Sequence, residues 1–144
     1  MDSMMTEAAL NTHNPEIKRD YIVQLLEELS QDYRNTKQER KEIATLYLTS
    51  EEEFSILEEI ELLTVDIRGY ASQIQIRGWI ENKQQAIDKL QNLRVFEIPV
   101  IAEFYFANPQ AYGQIKAYLQ MLDYLRLLII EYLQLNQKSQ PEFV

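Results

Sequence analysis

Cysteine is absent from this chain of 144 residues, and glycine (3), proline (4) and histidine (1) are scarce. Without cysteine there is no disulfide, no thiolate metal site and no cysteine nucleophile. Three glycines leave little material for a backbone cradle around phosphate, and neither G-x-x-x-x-G-K-[ST] nor G-x-G-x-x-G occurs. The single histidine, His13, lies in a stretch with no periodicity, where nothing would hold it as a general base or as a triad member. Glu-x-x-His pairs, which di-iron and di-manganese bundles use, are missing as well. No catalytic, cofactor-binding or metal-binding residue is assigned, no cofactor is expected, and the chain reads as non-enzymatic.

Long apolar runs are lacking too. The greasiest segment is interrupted by Asp123, Arg126 and Glu131, well short of the roughly 20 residues that span a bilayer. Met1 to His13 carries acidic residues and no basic region, unlike a signal peptide. A cytoplasmic protein without a membrane partner is the expectation. Positive charge is in deficit, with 14 Lys and Arg against 23 Asp and Glu and a net charge of −9. That balance repels nucleic acid and anionic lipid at long range.

What the chain has in quantity is Leu, Ile, Glu and Gln, the composition of long helices. The most apolar stretch runs from Tyr112 to Leu135. Ile115, Tyr118, Leu122, Leu125, Ile129 and Tyr132 recur at spacings of three and four. Leu119, Met121, Leu128 and Leu133 widen that row past half the circumference, and even outward positions carry Leu127 and Ile130. A helix apolar on so many sides must be covered on several of them, which predicts the central helix of a bundle.

Residues 1–13 read as a flexible tail, 14–137 as one helical domain and 138–144 as a frayed end. Asn14-Pro15 is a helix start, because Asn caps free N–H groups and Pro at the first position loses no bond. Ile22, Leu25, Leu29 and Tyr33, widened by Leu26, give the buried stripe. The stripe then vanishes from Arg34 to Glu42 and resumes at Ile43. One long helix with a solvated middle is the simpler expectation, and a break near Asn35-Thr36 the competing one. Ser50 and Glu53 make a capping box. The helix that follows carries Ile56, Ile60, Leu63, Ile67, Tyr70 and Ile74 without a miss.

A second row, Ile76, Ile80, Ile87 and Leu90, is out of phase with the first. Thirteen steps from Ile74 to Ile87 at about 100° leave roughly 220° beyond whole turns. A break at Arg77-Gly78 accommodates both rows. A short β-hairpin within residues 72–106 competes, since QIQIRGWI alternates and VFEIPVIAEFYF is β-branched and aromatic. The preferred reading starts a short helix at Pro99 and lets Asn108-Pro109 launch the central helix as Asn14-Pro15 launches the first.

Several groups are candidates for contact with a partner. Arg34, Lys37, Arg40 and Lys41 form the one basic cluster, suited to phosphate or to an acidic surface; pairing with neighbouring glutamates is the plainer reading. Seven carboxylates, Glu51, Glu52, Glu53, Glu58, Glu59, Glu61 and Asp66, follow one another without a basic residue. They read as a docking face for a basic partner or as a solvated helix face. Arg77 and Trp79, with Tyr112 and Tyr118, are candidate interface anchors. Arg126 among apolar neighbours requires a mate, and Asp123 stands three residues back.

The expected fold is all-α, a single-domain bundle of four to five helices with one or two long ones and the C-terminal helix at the centre. The expected function is a protein–protein interaction module, a small adaptor or regulator acting through helix faces as a homodimer. Two alternatives stand beside it. One is a helical subunit of a nucleoprotein complex that touches the nucleic-acid backbone through residues 34–41. The other is an acidic inhibitor or immunity-type protein with a basic target.

Overall fold

The computed structural model describes residues 12–46 and 51–135, with side chains over 12–45 and 56–135. The expected tails therefore fall almost wholly outside the described residues, as does the Ser50–Glu53 capping box.

The first helix, α1, runs Pro15–Asn35. Its start is the one the sequence requires: the Asn14 side-chain oxygen accepts from the N–H of Glu16 at 2.9 Å and of Ile17 at 3.4 Å. After Asn35 the helix stops and resumes as α2, Lys37–Leu46, so the single long helix is corrected to two. Thr36 makes the joint, its N–H and hydroxyl both donating to the Tyr33 carbonyl at 3.1 and 2.7 Å. Nor is the junction wet on every side. Ile22, Leu25, Leu29, Tyr33, Thr36, Arg40 and Ile43 keep spacings of three and four across it. Thr36 and Ile43 are buried, and Arg40 is half-buried. The stripe never stopped; two of its positions are polar.

Helix α3 runs Glu51–Arg77 and buries Ile56, Ile60, Leu63, Ile67 and Ile74, with Tyr70 half-buried. It ends where the glycine lies. Gly78 has φ +80°, and a Cβ there would come within 3.0 Å of the Arg19 guanidinium. That guanidinium needs the space, because it donates to the carbonyls of Ile74 at 2.8 Å and Gln75 at 2.9 Å. The Tyr132 hydroxyl donates to the Gly78 carbonyl and ties the same helix end to the core. Carbonyls at the end of α3 are thus met by side chains from two other helices.

Helix α4, Lys83–Asn92, buries Ala86, Ile87 and Leu90, and Ile80 is buried just before it. Ile76 does not join that row. It stays on α3, about 200° round the helix from Ile74, and is 78% exposed. A 3-10 turn, Val95–Glu97, leads to α5, Pro99–Ala107, and no strand forms among the described residues. The alternation in QIQIR was the last helical turn of α3, and Pro99 opens a helix by its fixed φ.

Helix α6, Gly113–Leu135, buries 12 of its 23 residues. It packs most extensively on α1 and also against α2, α3 and α4. The central position expected of it is the one it holds. Its start is another matter. Asn108 closes α5, its N–H and side-chain amide both donating to the Phe104 carbonyl at 3.2 and 3.0 Å. Tyr112 follows in the left-handed region at φ +59°, its ring 5.3 Å from that of Phe104. Then α6 begins, and the first N–H groups of Gln114 and Ile115 donate to the Glu39 carboxylate on α2 at 3.1 and 2.8 Å. A carboxylate from elsewhere in the fold does what Asn108 was expected to do, at the positive end of the helix dipole. The result is an all-α bundle of six helices among the described residues.

Candidate interaction surface

The interior polar groups are committed to holding the bundle. Lys18 on α1 is 1% exposed and pairs with Glu131 on α6. Arg126 donates to Asp123 at 3.0 Å, as expected, and also to the Leu90 carbonyl at 2.8 Å. That second bond fixes α4 to α6. Tyr118, Thr64 and the Ile60 carbonyl form a chain, with oxygen–oxygen distances of 2.9 and 2.7 Å. Since Thr64 has one proton and gives it to Ile60, the Tyr118 hydroxyl is the donor to Thr64. Arg68 donates to Ser30 at 2.7 Å and links α3 to α1. No buried side-chain nitrogen or oxygen among the described residues lacks a partner.

These arrangements tie one helix to the next. Burial pushes the Tyr118 hydroxyl up to about 12, against smaller opposing effects of the nearby Arg68 and Arg40. Burial raises Tyr105 to about 12 as well. Both are neutral donors at physiological pH, far from the range that serves general acid–base work. Among the described residues, no three of His, Asp and Glu converge as a metal site. Two open hollows lie among the described residues. One of about 240 Å³ lies beside Thr12, His13, Lys18 and Glu131. Another of about 280 Å³ is lined by Gln38, Lys41, Glu42 and Thr45.

The expected contact residues are dispersed. Arg34, Lys37 and Lys41 are exposed, but Arg40 is drawn inward. It lies 4.0 Å over the Tyr33 ring, with bonds to the Thr36 hydroxyl at 2.8 Å and the Tyr33 carbonyl at 3.2 Å. Three of the four cations of the basic cluster thus face solvent, and the fourth is tied to its own stretch of chain. On the acidic side, Glu58 and Glu61 are exposed and Glu59 is half-buried. Asp66, also half-buried, lies 3.8 Å from Lys89. Glu51 and Glu52 belong to the first turn of α3, outside the described side chains. Tyr118 is corrected from interface anchor to core residue, 1% exposed. Tyr112 is half-buried. Arg77 is exposed and stacks 4.1 Å over the half-buried Trp79.

The surface feature that sequence reasoning missed is on α3. Leu62 is 53%, Val65 65% and Ile76 78% exposed, and Gly69 between them is exposed too. At about 100° per residue all four fall within roughly 60° of one another, opposite the face that carries Ile60, Ile67 and Ile74. The signal was present as spacings 62, 65, 69, 72, 76. It was hidden because Ile76 was assigned to the row of α4. Phe106 on α5, at 87%, is the most exposed large apolar side chain among the described residues, while Ile17, Leu127 and Phe96 are exposed to a lesser degree elsewhere.

Comparison with known proteins adds no identity to this geometry: no family model, no curated protein and no solved structure matches the chain.

Proposed function

We propose that the protein is a non-enzymatic interaction module, a small adaptor or regulator that works through its helix faces and does so as a homodimer. One observation carries this reading. The buried polar groups are consumed by the fold, while large aliphatic side chains stand in solvent along the outside of its longest helix. Apolar groups gathered on one exposed face favour contact with another macromolecule. The alternative of a nucleic-acid subunit draws less support, since Arg40 is committed to Tyr33 and Thr36 and the net charge is −9. An inhibitor role for the acidic end of α3 is compatible with the exposure of Glu58 and Glu61 but has no further feature in its favour.

The test is affinity capture from the native cell, followed by reconstitution from purified components. The expected outcome is a protein partner whose binding is lost when Leu62, Val65 and Ile76 are replaced by glutamate, with the helical circular dichroism unchanged. A partner held equally well by the substituted chain, or a small molecule converted by the purified chain, would contradict the proposal.

A further inference from the structure

Among the described residues, nothing in a single copy of this chain calls for glycine at position 69. It lies about two-thirds of the way along α3 in helical backbone, it is exposed, and a Cβ built there meets nothing within 4 Å. Almost any other residue would favour the helix more. What glycine does offer is the close approach of another backbone. The residues that share its arc, Leu62, Val65 and Ile76, are the exposed apolar ones. A bare patch of backbone flanked by greasy side chains is the shape into which a second helix settles.

We infer that α3 is the self-association face, and that a second copy lays its own α3 antiparallel across this one with the crossing at Gly69. The inference rests on the homodimeric reading above and names its interface. Charge sets the direction. From 58 to 66, α3 carries Glu58, Glu59, Glu61 and Asp66 and no cation; from 67 to 77 it carries Arg68 and Arg77 and no acid. A parallel pair would lay acid on acid. Antiparallel pairing about Gly69 sets Leu62 against the partner's Ile76 and Val65 against the partner's Ser72. It also brings Glu58 and Glu59 to the partner's Arg77. The patch meets itself, so the assembly closes at two copies. The stripe from Leu62 to Ile76 is only about 21 Å long, which makes a small interface and a dissociation constant on the order of micromolar or weaker.

The chain has no cysteine of its own, so single-cysteine variants of the full chain read the geometry directly. Under mild oxidation Gly69→Cys links to itself. Leu62→Cys and Ile76→Cys each stay unlinked alone, because like positions are about 21 Å apart along the axis, but link to each other when mixed. Gln85→Cys, exposed on α4, gives the collisional background. Gly69→Gln, which fills the crossing with a good helix former, raises the unfolding temperature of dilute protein and weakens association at least about tenfold. A Gly69→Cys rate no higher than that of Gln85→Cys overturns the proposed crossing, and self-linking of Leu62→Cys overturns the antiparallel direction. A wild-type chain of dimer mass whose association Gly69→Gln leaves unchanged removes this face and leaves the dimer standing. A chain of monomer mass at every concentration removes both.

Discussion

Lys18 and Glu131 form an unequal pair: the lysine side chain is 1% exposed and the glutamate 39%. Removing either partner therefore has different consequences. Lys18→Met leaves a carboxylate that water can reach, with an apolar side chain of similar length in the gap. The expected change in unfolding free energy is within about 1 kcal/mol. Glu131→Ala leaves a buried ammonium without its counter-charge, at a cost of about 3 kcal/mol. Urea unfolding of the two variants checks the order; equal losses would contradict it. Lys18 was legible in part, because it shares the row of Ile22, Leu25 and Leu29 at spacings of four, three and four. A charge on such a row needs a mate. The mate, 113 residues away, was not legible, since no local pattern reports a contact of that range.

Tyr118 supplies a second prediction at the same scale. An unfolded chain releases a tyrosine proton near pH 10, whereas burial holds this one until about 12. Below pH 10 both states are protonated and the contribution is whole. Between pH 10 and 12 the unfolded state ionises first, and up to about 2–3 kcal/mol of stability drains away. Tyr118→Phe should cost about 1 kcal/mol at neutral pH through the lost bond to Thr64. The same variant should lose stability less steeply from pH 10 to 12. Denaturant midpoints across that range test it, and an unchanged slope would exclude the assignment.

At the scale of the element, two Asn-Pro pairs show how far local rules reach. Asn14-Pro15 opens α1 because the carboxamide folds over the first N–H groups. Asn108-Pro109 presents the same dipeptide, yet Asn108 reaches back to the Phe104 carbonyl and ends α5. The start of α6 is then open to Glu39, a residue that local reading places only on a solvated segment. Glu39→Ala removes two acceptors from the helix N-terminus and should cost about 1–2 kcal/mol. Glu39→Gln, which keeps one acceptor, should cost less. Equal stability of both variants and wild type in chemical unfolding would contradict the cap. The break after Arg77 was readable from the phase shift and the glycine together. The break at Thr36 was legible only as the competing reading, because threonine is no helix breaker and nothing local favours a stop there.

For the whole molecule, apolar periodicity was enough to specify an all-α bundle with α6 inside, since a helix covered on most sides has nowhere else to go. Surface function was less legible. Exposed and buried isoleucines look alike in a sequence, and Ile76 was placed with the wrong row until the turn at Gly78 separated α3 from α4. The monomer also has a cheap improvement that the sequence declines: Gly69→Ala, with open space for its methyl group, should stabilise dilute protein by up to about 1 kcal/mol. A site where the fold alone would favour another residue is where a contact with something else is expected to matter.

Self-association through α3 is tested most directly by sedimentation equilibrium of the full chain over roughly 1 to 200 μM, a range suited to a small interface. The expected mass climbs from 17.1 kDa toward twice that value, along a curve that Gly69→Gln displaces to higher concentration. A mass fixed at 17.1 kDa throughout would contradict it.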